Sequence, residues 1–262
     1  MKKFYQTEWH GIPFNSFARL SSKELADAAF YAAFYAKFFE KYRDWSDLRP
    51  DWVKLKLQAM DHIAGHKAFR KDIKALSIGC GLGIMEKALL DAGYENLELT
   101  EVSDIPLRWV LTHFDKEKVH IGFFPECLPH DRFYDFIFLS GVEYFFDQKE
   151  LIKFLKAVKG RLRPGGTCLM ISWSYEFKAQ LAGLPSRVVN TAKKIAYSLL
   201  AFFKLKPAIR SKPKQFWGYL RHRGDFREAM KAAGFIQLKD GFLEKKTNWD
   251  TYFIEGISGG GK

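Results

Sequence analysis

The stretch that decides the fold is Ala75-Leu-Ser-Ile-Gly-Cys-Gly-Leu-Gly83. Its apolar first part, residues 75–78, predicts a short buried strand. Its second part holds glycines at three alternate positions, and residues 84–90, which follow, are apolar at helical spacing. A strand, a glycine turn and a helix in this order bring bare backbone and a helix N-terminus against a nucleotide-like ligand.

A carboxylate follows the glycine turn at a distance that suits a ribose. Glu101 ends a second predicted strand, residues 97–101, about twenty residues after the turn. A carboxylate at this place can accept hydrogen bonds from both ribose hydroxyls. We therefore expect a ligand that contains a ribose.

Residue 84 separates two kinds of ribose-containing ligand. A dinucleotide fingerprint has the spacing Gly-x-Gly-x-x-Gly, or Ala in the last place, so that the pyrophosphate can lie on the helix. Ile84 occupies that last place, and its side chain would crowd a pyrophosphate. The spacing therefore favours a ligand other than a dinucleotide.

The observed Gly-x-Gly-x-Gly spacing resembles motif I of the class I S-adenosylmethionine-dependent methyltransferases. The resemblance extends over about 180 residues. Residues 134–140 are similar to the family's fourth strand. Leu162-Arg-Pro-Gly-Gly166, which ends a predicted helix at 148–162 and precedes a predicted strand at 167–172, is similar to a late motif. Residues 226–235 resemble the last helix and turn.

The resemblance implies an α/β fold with three layers. We expect a Rossmann-like methyltransferase fold with a mostly parallel seven-stranded sheet, helices on both faces and an antiparallel last strand. The predicted domains are an N-terminal helical extension at residues 1–70 and a methyltransferase domain at residues 71–257. Residues 258–262 are expected to be a flexible tail.

The extension contains two predicted helices. Ser21-Ser-Lys-Glu24 fits a capping box before a helix at residues 25–42, which has a wide aromatic face. A second helix is predicted at residues 52–64. In the family such N-terminal pieces often cover the cofactor.

Length and composition limit the classes of protein that fit. A chain of 262 residues with 47% hydrophobic and 16% aromatic side chains can form one good core and is not disordered. The three cysteines are scattered, without the spacing of a zinc site or a disulfide framework. No apolar run reaches the roughly 18 residues of a bilayer span, and the N-terminus lacks a signal-peptide core. A cytoplasmic protein is expected.

The net charge of +12 is concentrated in one segment. Residues 177–224 contain eleven Lys or Arg and no Asp or Glu, and an amphipathic helix is predicted at residues 187–206. We expect this segment to be a basic helical cap whose cations, Arg221 and Arg223 among them, face an acidic or phosphate-bearing acceptor. The alternative is a peripheral membrane contact through residues 187–223.

The resemblance implies cofactor-binding residues at the ends of the strands. They are Gly79, Cys80, Gly81, Gly83, Glu101, Val102, Phe124, Glu126, Ser140 and Gly141. Two positions depart from the family's pattern. Ser77 stands where an acid usually precedes the first glycine, and phenylalanines stand where an acid usually follows the third strand. Phe123 or Phe124 could pack on the adenine ring there, and Glu126 is the nearest acid.

The predicted chemistry needs positioned reactants and a base. Methyl transfer from S-adenosylmethionine is a direct displacement, and a hydroxyl acceptor also needs a general base. Glu143, after the fourth strand, is the predicted base or acceptor-orienting group, or else a contact to the cofactor or a helix end. Tyr144 lies beside it, and His10 in the N-terminal loop is a candidate lid residue. No residues have metal-ligand spacing, so metal-independent transfer is expected.

The acceptor is the least constrained part of the prediction. The aromatic pattern of residues 30–45, with Thr100-Glu-Val-Ser103, resembles bacterial methyltransferases of surface-polysaccharide synthesis. That resemblance implies O-methylation of a sugar in a surface glycan or its carrier-linked precursor. The alternatives are a lipid or quinone acceptor, an RNA acceptor, and a non-catalytic partner protein with the cofactor fold.

Overall fold

The computed structural model describes residues 1–175, 213–244 and 250–259. In chain order the strands are β1 (Lys2–Gln6), β2 (Glu8–Trp9), β3 (Ile12–Pro13), β4 (Ala75–Ile78), β5 (Leu97–Glu101), β6 (Val119–Ile121), β7 (Tyr134–Ser140), β8 (Leu162–Ser174), β9 (Gln215–Leu220), β10 (Phe235–Glu244) and β11 (Asp250–Ser258). The α-helices are α1 (Ala28–Lys41), α2 (Pro50–Ala64), α3 (Ile84–Asp91), α4 (Gln148–Gly160) and α5 (Arg223–Ala232).

Seven of these strands form one sheet in the order β10-β11-β8-β7-β4-β5-β6. The five strands from β8 to β6 are parallel, and β11 is antiparallel to both of its neighbours. The carboxyl ends of β4, β5 and β7 therefore meet at one edge of the sheet, beside the point where the strand order reverses. The predicted mostly parallel sheet with an antiparallel last strand is confirmed.

Both faces of the sheet are covered by helices. In β7, Ile137 and Leu139 lie in a core with α4 and α5, while Phe136 and Phe138 lie in a core with α2 and α3. All four side chains are fully buried. Because alternate side chains of one strand enter two different cores, residues 136–139 are all apolar rather than alternating with polar residues.

Strand β8 starts earlier than predicted. Leu162 lies opposite Tyr134, and after a shift of register Thr167 lies opposite Phe136. The residues between, Arg163-Pro-Gly-Gly166, bulge from the ladder instead of separating the helix from the strand. The positive φ of +79° that Gly165 adopts allows this path of the backbone.

Helix α1 begins at Ala28, and the predicted capping box is wrong. The cap is Asp27, whose side chain accepts a hydrogen bond from the backbone N–H of Phe30 at 2.8 Å. Ser21 Oγ does accept from the backbone N–H of Glu24 at 3.1 Å. The chain then extends into a bridge between Leu25 and β9 rather than into a helix. The second predicted helix is confirmed as α2.

Two strands that are far apart in the sequence, and that the sequence analysis did not predict, pair with each other. β1 and β9 form an antiparallel ribbon beside the main sheet. β9 and the start of α5 lie within residues 213–224 of the predicted basic cap. The rest of that cap, with the predicted helix at 187–206, lies outside the described residues. Ser258, predicted to start the tail, ends β11 opposite Phe235.

Within the described ranges, no helix combines the length and the apolar character that crossing a bilayer requires.

Candidate active site

The glycine turn between β4 and α3 contains one open position. Gly79, Gly81 and Gly83 all have positive φ, between +55° and +70°. A Cβ on Gly79 would lie 2.5 Å from Val142 Cγ2, and a Cβ on Gly83 would lie 2.3 Å from Val110 Cγ2. A Cβ on Gly81 would meet no described atom within 4 Å. The outer glycines therefore permit close packing, whereas the backbone at Gly81 is open to a ligand.

Glu101, at the end of β5, is fixed against this turn by backbone groups. Its Oε2 accepts a hydrogen bond from the N–H of Gly81 at 2.8 Å, and its Oε1 accepts one from the N–H of Val102 at 2.9 Å. Burial raises the pKa of the Glu101 carboxyl, and the backbone hydrogen bonds oppose that rise. Each carboxylate oxygen retains a lone pair, so the group can still accept hydroxyl donors.

Helices α2 and α3 bring opposite charges to the ends of β4 and β7. Ser77 Oγ donates to Glu86 Oε1 at 2.6 Å, so α3 supplies a carboxylate where the resemblance expects a strand acid. Lys56 Nζ lies 3.3 Å from Ser140 Oγ. Burial lowers the pKa of Lys56, and the carboxylates of Glu86 and Glu143 oppose that change. Burial also raises the pKa of Glu86.

The 3₁₀ turn after β7, Glu143–Phe145, contains a carboxylate that is only partly hydrogen-bonded. Glu143 is 1% exposed. Ser172 Oγ donates to its Oε1, while its Oε2 is buried without a hydrogen-bond partner among the described residues. Burial raises the pKa of Glu143, opposed by the Ser172 hydrogen bond and by the charge of Arg221. A buried acceptor without a donor is a candidate for ligand contact.

Arg221 holds this turn in place. Its side chain is fully buried. Nη1 donates to the main-chain oxygen of Glu143 at 2.9 Å, Nη2 donates to that of Phe146, and Nε donates to Gln148 Oε1 at 3.1 Å. The prediction that Arg221 faces an acceptor is wrong, because its donors are used inside the protein. The neighbouring Arg223 is 44% exposed and pairs with Asp240 at 3.0 Å.

Tyrosines of α1 cover the site. Burial raises the pKa of Tyr31 and of Tyr35, and the neighbouring Tyr144 and Glu101 raise both further. The hydroxyl groups of Tyr31 and Tyr144 lie side by side. The contact with the Tyr144 hydroxyl also raises the pKa of Tyr31. The ring of Trp217, from β9, lies 5.5 Å from that of Tyr31.

His10 is buried beneath aromatic rings in the N-terminal loop. Its φ of +50° is unusual for a non-glycine residue. Its main-chain oxygen accepts from the Tyr42 hydroxyl at 2.6 Å and from Lys41 Nζ at 3.2 Å. Its ring lies 4.6 Å from that of Trp52. Burial, with help from nearby cations, lowers the pKa of His10 to about 4, and Nε2 has no hydrogen-bond partner among the described residues.

The structure brings most of the predicted site residues together. The glycine turn, Glu101 and the start of the Glu143 turn lie at the carboxyl ends of adjacent strands, with Ser140 and Gly141 between Lys56 and Trp173. Cys80 lies beside Glu101, and burial raises the pKa of its thiol. Tyr144 is buried under α1, and Val102 is 51% exposed.

The residues predicted to contact the adenine ring either pack against α4 or are exposed. The ring of Phe124 packs on Phe154 of α4 with centroids 5.7 Å apart. Phe123 is 73% exposed, and Glu126 is exposed as well. Contacts of Phe124 and Glu126 with a cofactor therefore stay predictions.

Three residues of the site were missed by the sequence analysis, namely Tyr31, Lys56 and Glu86, and Arg221 was predicted in a different role. Glu86 carried a usable signal, because it is a charge on the apolar side of the predicted helix after the glycine turn. Tyr31 lay in an aromatic face assigned to packing. Lys56 and Arg221 carried no usable signal. Lys56 lies in a helix and Arg221 in a basic run, and neither differs in sequence from the other cations of its segment.

A surface groove of about 510 Å³ is lined by Trp45, Leu48, Val53 and Leu57 among others, and none of the predicted site residues lines it. Within the part of the chain that the structure describes, no group of three or more His, Cys, Asp or Glu is arranged to hold a metal ion.

The chain matches a known family in sequence and several solved structures in fold. A family model described as a methyltransferase domain matches residues 45–239. No curated protein matches the chain. Among solved structures, an O-methyltransferase family protein from Burkholderia thailandensis is 15% identical with a TM-score of 0.54, and the alignment covers 90% of this chain and 61% of that one.

Two other structures show the range of proteins with this fold. Magnesium protoporphyrin IX methyltransferase from Synechocystis, with bound SAH (S-adenosylhomocysteine), is 13% identical with a TM-score of 0.55, covering 88% of this chain and 99% of that one. Phosphoethanolamine N-methyltransferase 2 from Haemonchus contortus, in complex with phosphomonomethylethanolamine and S-adenosylhomocysteine, is 12% identical with a TM-score of 0.53, covering 87% and 57%.

The chain spans less than two thirds of the length of the Burkholderia and Haemonchus proteins. At these identities the structures establish the fold alone. The family model, by contrast, matches most of the chain and includes the glycine turn, Glu101 and the Glu143 turn. The protein belongs to the methyltransferase domain family.

Proposed function

We propose that the protein is an S-adenosylmethionine-dependent methyltransferase that methylates a hydroxyl group. The observation that carries the proposal is the pairing of Glu101 with the open glycine turn. Its carboxylate is fixed by the backbone N–H groups of Gly81 and Val102 and can accept the hydroxyls of a ribose. The space above Gly81 gives such a ligand access to bare backbone.

The residues present suit this cofactor better than a dinucleotide. Ile84, the first residue of α3, is buried where a dinucleotide fingerprint needs Gly or Ala. Glu86 and Lys56 offer opposite charges at the ends of β4 and β7, which suits a ligand that carries both an ammonium and a carboxylate group. S-adenosylmethionine, when bound, supplies a methyl group that needs no further activation.

Glu143 is the proposed base. Its Oε1 is fixed by Ser172, and its Oε2 is free of protein donors among the described residues. Because burial raises its pKa, Glu143 is a better proton acceptor than an exposed carboxylate, which favours removal of a proton from an acceptor hydroxyl. Glu143 is 1% exposed, and such burial limits the access of water that would compete with the acceptor.

The nature of the acceptor belongs to the same proposal. A sugar hydroxyl of a surface glycan or of its carrier-linked precursor is the acceptor that the sequence resemblance favours, and the base at Glu143 is consistent with it. The described residues contain no feature that favours a lipid, a quinone or RNA. The proteins with this fold carry names with different acceptors, so the fold itself does not choose among them.

Calorimetry with S-adenosylhomocysteine and with NAD tests the cofactor assignment. We expect binding of S-adenosylhomocysteine and none of NAD. Gly81→Val should abolish binding, because a branched side chain would fill the open space and resist a φ of +55°. Tight NAD binding without a response to S-adenosylhomocysteine would contradict the proposal. Transfer of labelled methyl groups to glycan, lipid and RNA fractions then identifies the acceptor class.

A further inference from the structure

Lys56, on helix α2 of the N-terminal extension, carries a charge that no described carboxylate pairs with. Its Nζ lies 3.3 Å from Ser140 Oγ and 3.5 Å from the main-chain oxygen of Ser140. An ammonium group has three N–H donors, so at least one remains for another acceptor. Lys56 is partly buried, and Glu86 and Glu143 act on it from beyond ion-pair distance. A desolvated cation without an adjacent anion is costly, which indicates that a bound ligand supplies the anion.

The sheet places Lys56 beside the glycine turn. Strand β4 pairs with β7 in parallel up to the last residue of β4. Ser140, which ends β7 and contacts Lys56, therefore lies beside Gly79, the first residue of the turn. A Cβ on Gly79 would lie 2.5 Å from Val142 Cγ2, which shows that the turn touches the segment after β7.

Glu101 and Lys56 lie on opposite sides of this turn. Glu101 ends β5, on one side of β4, and accepts a hydrogen bond from the N–H of Gly81. Lys56 contacts the end of β7, on the other side of β4. Neighbouring strands lie about 4.8 Å apart, so the ends of β5 and β7 are separated by about 10 Å. A ligand whose ribose is held by Glu101 and which crosses the open backbone at Gly81 would bring its other end towards Lys56.

We infer that Lys56 binds the carboxylate at the amino-acid end of S-adenosylmethionine, and that the N-terminal extension thereby forms part of the cofactor site. This inference rests on the proposed function. It makes Lys56 the residue that distinguishes the intact cofactor from adenosine derivatives without a carboxylate.

The charges around Lys56 are consistent with this role. Arg221, the cation beside the Glu143 turn, uses its donors on groups of the protein and is not free to bind a ligand. Glu86 and Glu143 favour the charged form of Lys56 and oppose the effect of burial on its pKa. Glu86 is itself hydrogen-bonded to Ser77 at 2.6 Å, which keeps its carboxylate away from direct pairing with Lys56.

Calorimetry with three ligands on the full chain tests the contact. The ligands are S-adenosylhomocysteine, its decarboxylated analogue, which keeps the amino group, and 5′-methylthioadenosine, which lacks the whole amino-acid end. In Lys56→Met, the affinity for S-adenosylhomocysteine should fall roughly 10- to 100-fold, the effect of lost charge-assisted hydrogen bonds. The affinities for the other two ligands should not fall, because neither has a carboxylate.

Two further variants serve as controls. Lys54→Met removes an exposed lysine from the same helix and should change the affinity for none of the three ligands. Lys56→Gln keeps an N–H donor for Ser140 and loses the charge, so it should show the same pattern as Lys56→Met. Binding of 5′-methylthioadenosine reports that the site of each variant is folded.

The wild-type protein separates this inference from the proposed function. If it does not bind S-adenosylhomocysteine, the proposed function fails. If it binds and both Lys56 variants bind equally well, the inference alone is overturned. An equal loss of affinity for all three ligands also overturns the inference, because it would assign Lys56 a structural role. A loss confined to S-adenosylhomocysteine supports it.

Discussion

Arg221 donates a hydrogen bond to the main-chain oxygen of Glu143 with an N–O distance of 2.9 Å. The two residues are far apart in the chain, and the same guanidinium also contacts Phe146 and Gln148. The turn that carries the proposed base is therefore held by a cation from the segment that was predicted to be a cap.

Arg221→Met should destabilise the protein and slow turnover. The change leaves buried acceptors at Glu143, Phe146 and Gln148 without donors, which costs about 2–4 kcal/mol. Arg221→Lys should be intermediate, because an ammonium group cannot match the fork geometry of guanidinium. Arg223→Met is the control, because Arg223 is 44% exposed and the buried Asp240 keeps Arg227 as a second partner. Urea unfolding measures the difference. Equal stability of the two methionine variants would contradict the assigned role.

The glycine turn allows two neighbouring substitutions with opposite consequences. Gly83→Ala should destabilise the fold by about 2–4 kcal/mol, because its Cβ would lie 2.3 Å from Val110 at a positive φ. Gly81→Ala should cost about 1 kcal/mol, from backbone strain alone. It should nevertheless weaken S-adenosylhomocysteine binding at least about tenfold, because its methyl group enters the open space. Thermal melts and calorimetry measure the two effects. Normal binding by Gly81→Ala would show that the ligand lies elsewhere.

The parts of the fold that could be predicted from sequence depend on local patterns. The run before Gly79 and residues 136–139 of β7 are mainly apolar because both faces of these strands are buried, so the strands themselves could be predicted. Their arrangement in the sheet was implied by the family resemblance. Glu101 and Glu143 could be predicted as site residues because strand ends in this fold meet at one edge. Each of these predictions depends only on residues that are close in the sequence.

The parts that could not be predicted depend on partners distant in sequence. The Ser21 capping box has the right residues, but the bridge between Leu25 and β9 keeps the backbone extended there. β1 is too short and polar to be recognised without β9, its partner at the other end of the chain. Arg221 is one cation in a basic run, and only the carbonyl groups around it distinguish its buried role from a surface one.

Glu101→Gln should weaken cofactor binding more than it slows methyl transfer. An amide presents an NH₂ group to one of the two backbone N–H donors, so the group loses both its charge and its fixed position. The expected loss of S-adenosylhomocysteine affinity is about 1–3 kcal/mol, while turnover at saturating cofactor should fall less. Glu98→Gln, at the other end of the same strand, is the matched control. Unchanged affinity in Glu101→Gln would remove Glu101 from the cofactor site.

Glu143→Gln should lower turnover by roughly 10²–10⁴ and leave S-adenosylhomocysteine binding intact. A base must be ionised, so wild-type kcat/KM should fall as pH decreases through the Glu143 pKa, which burial raises above its ordinary value. The variant should lack this acidic limb. If cofactor affinity collapses instead, Glu143 binds the cofactor and the base is another residue.

Glu143→Gln should lower activity without lowering the stability of the fold. A carboxyl group whose folded pKa is raised stabilises the fold below its unfolded pKa, and that contribution is lost as pH rises through the folded pKa. Glu143→Gln removes a buried negative charge at neutral pH. Its unfolding temperature at pH 7 should therefore equal or exceed that of the wild type. A marked decrease would show that Glu143 also supports the fold.

Glu98 should behave as a structural acid, in contrast to both site carboxylates. Burial alone would raise its pKa, but hydrogen bonds from His120, Tyr134 and Lys74 outweigh burial and lower the pKa to about 2. Arg132 also contacts it at 2.8 Å. A depressed folded pKa means that its stability contribution is present above the unfolded value, near 4.5, and is lost as pH falls towards 2.

Glu98→Gln should therefore lower the free energy of unfolding by about 3 kcal/mol at pH 7. The difference between variant and wild type should shrink between about pH 4.5 and pH 2, since the wild type then gains the proton that the amide never binds. Urea unfolding across this range measures it. Because Glu98 lies at the opposite end of β5 from Glu101, S-adenosylhomocysteine affinity should not change. A difference in stability that stays constant down to pH 2 would show that the hydrogen-bonded network, and not its ionisation, stabilises this end of the sheet.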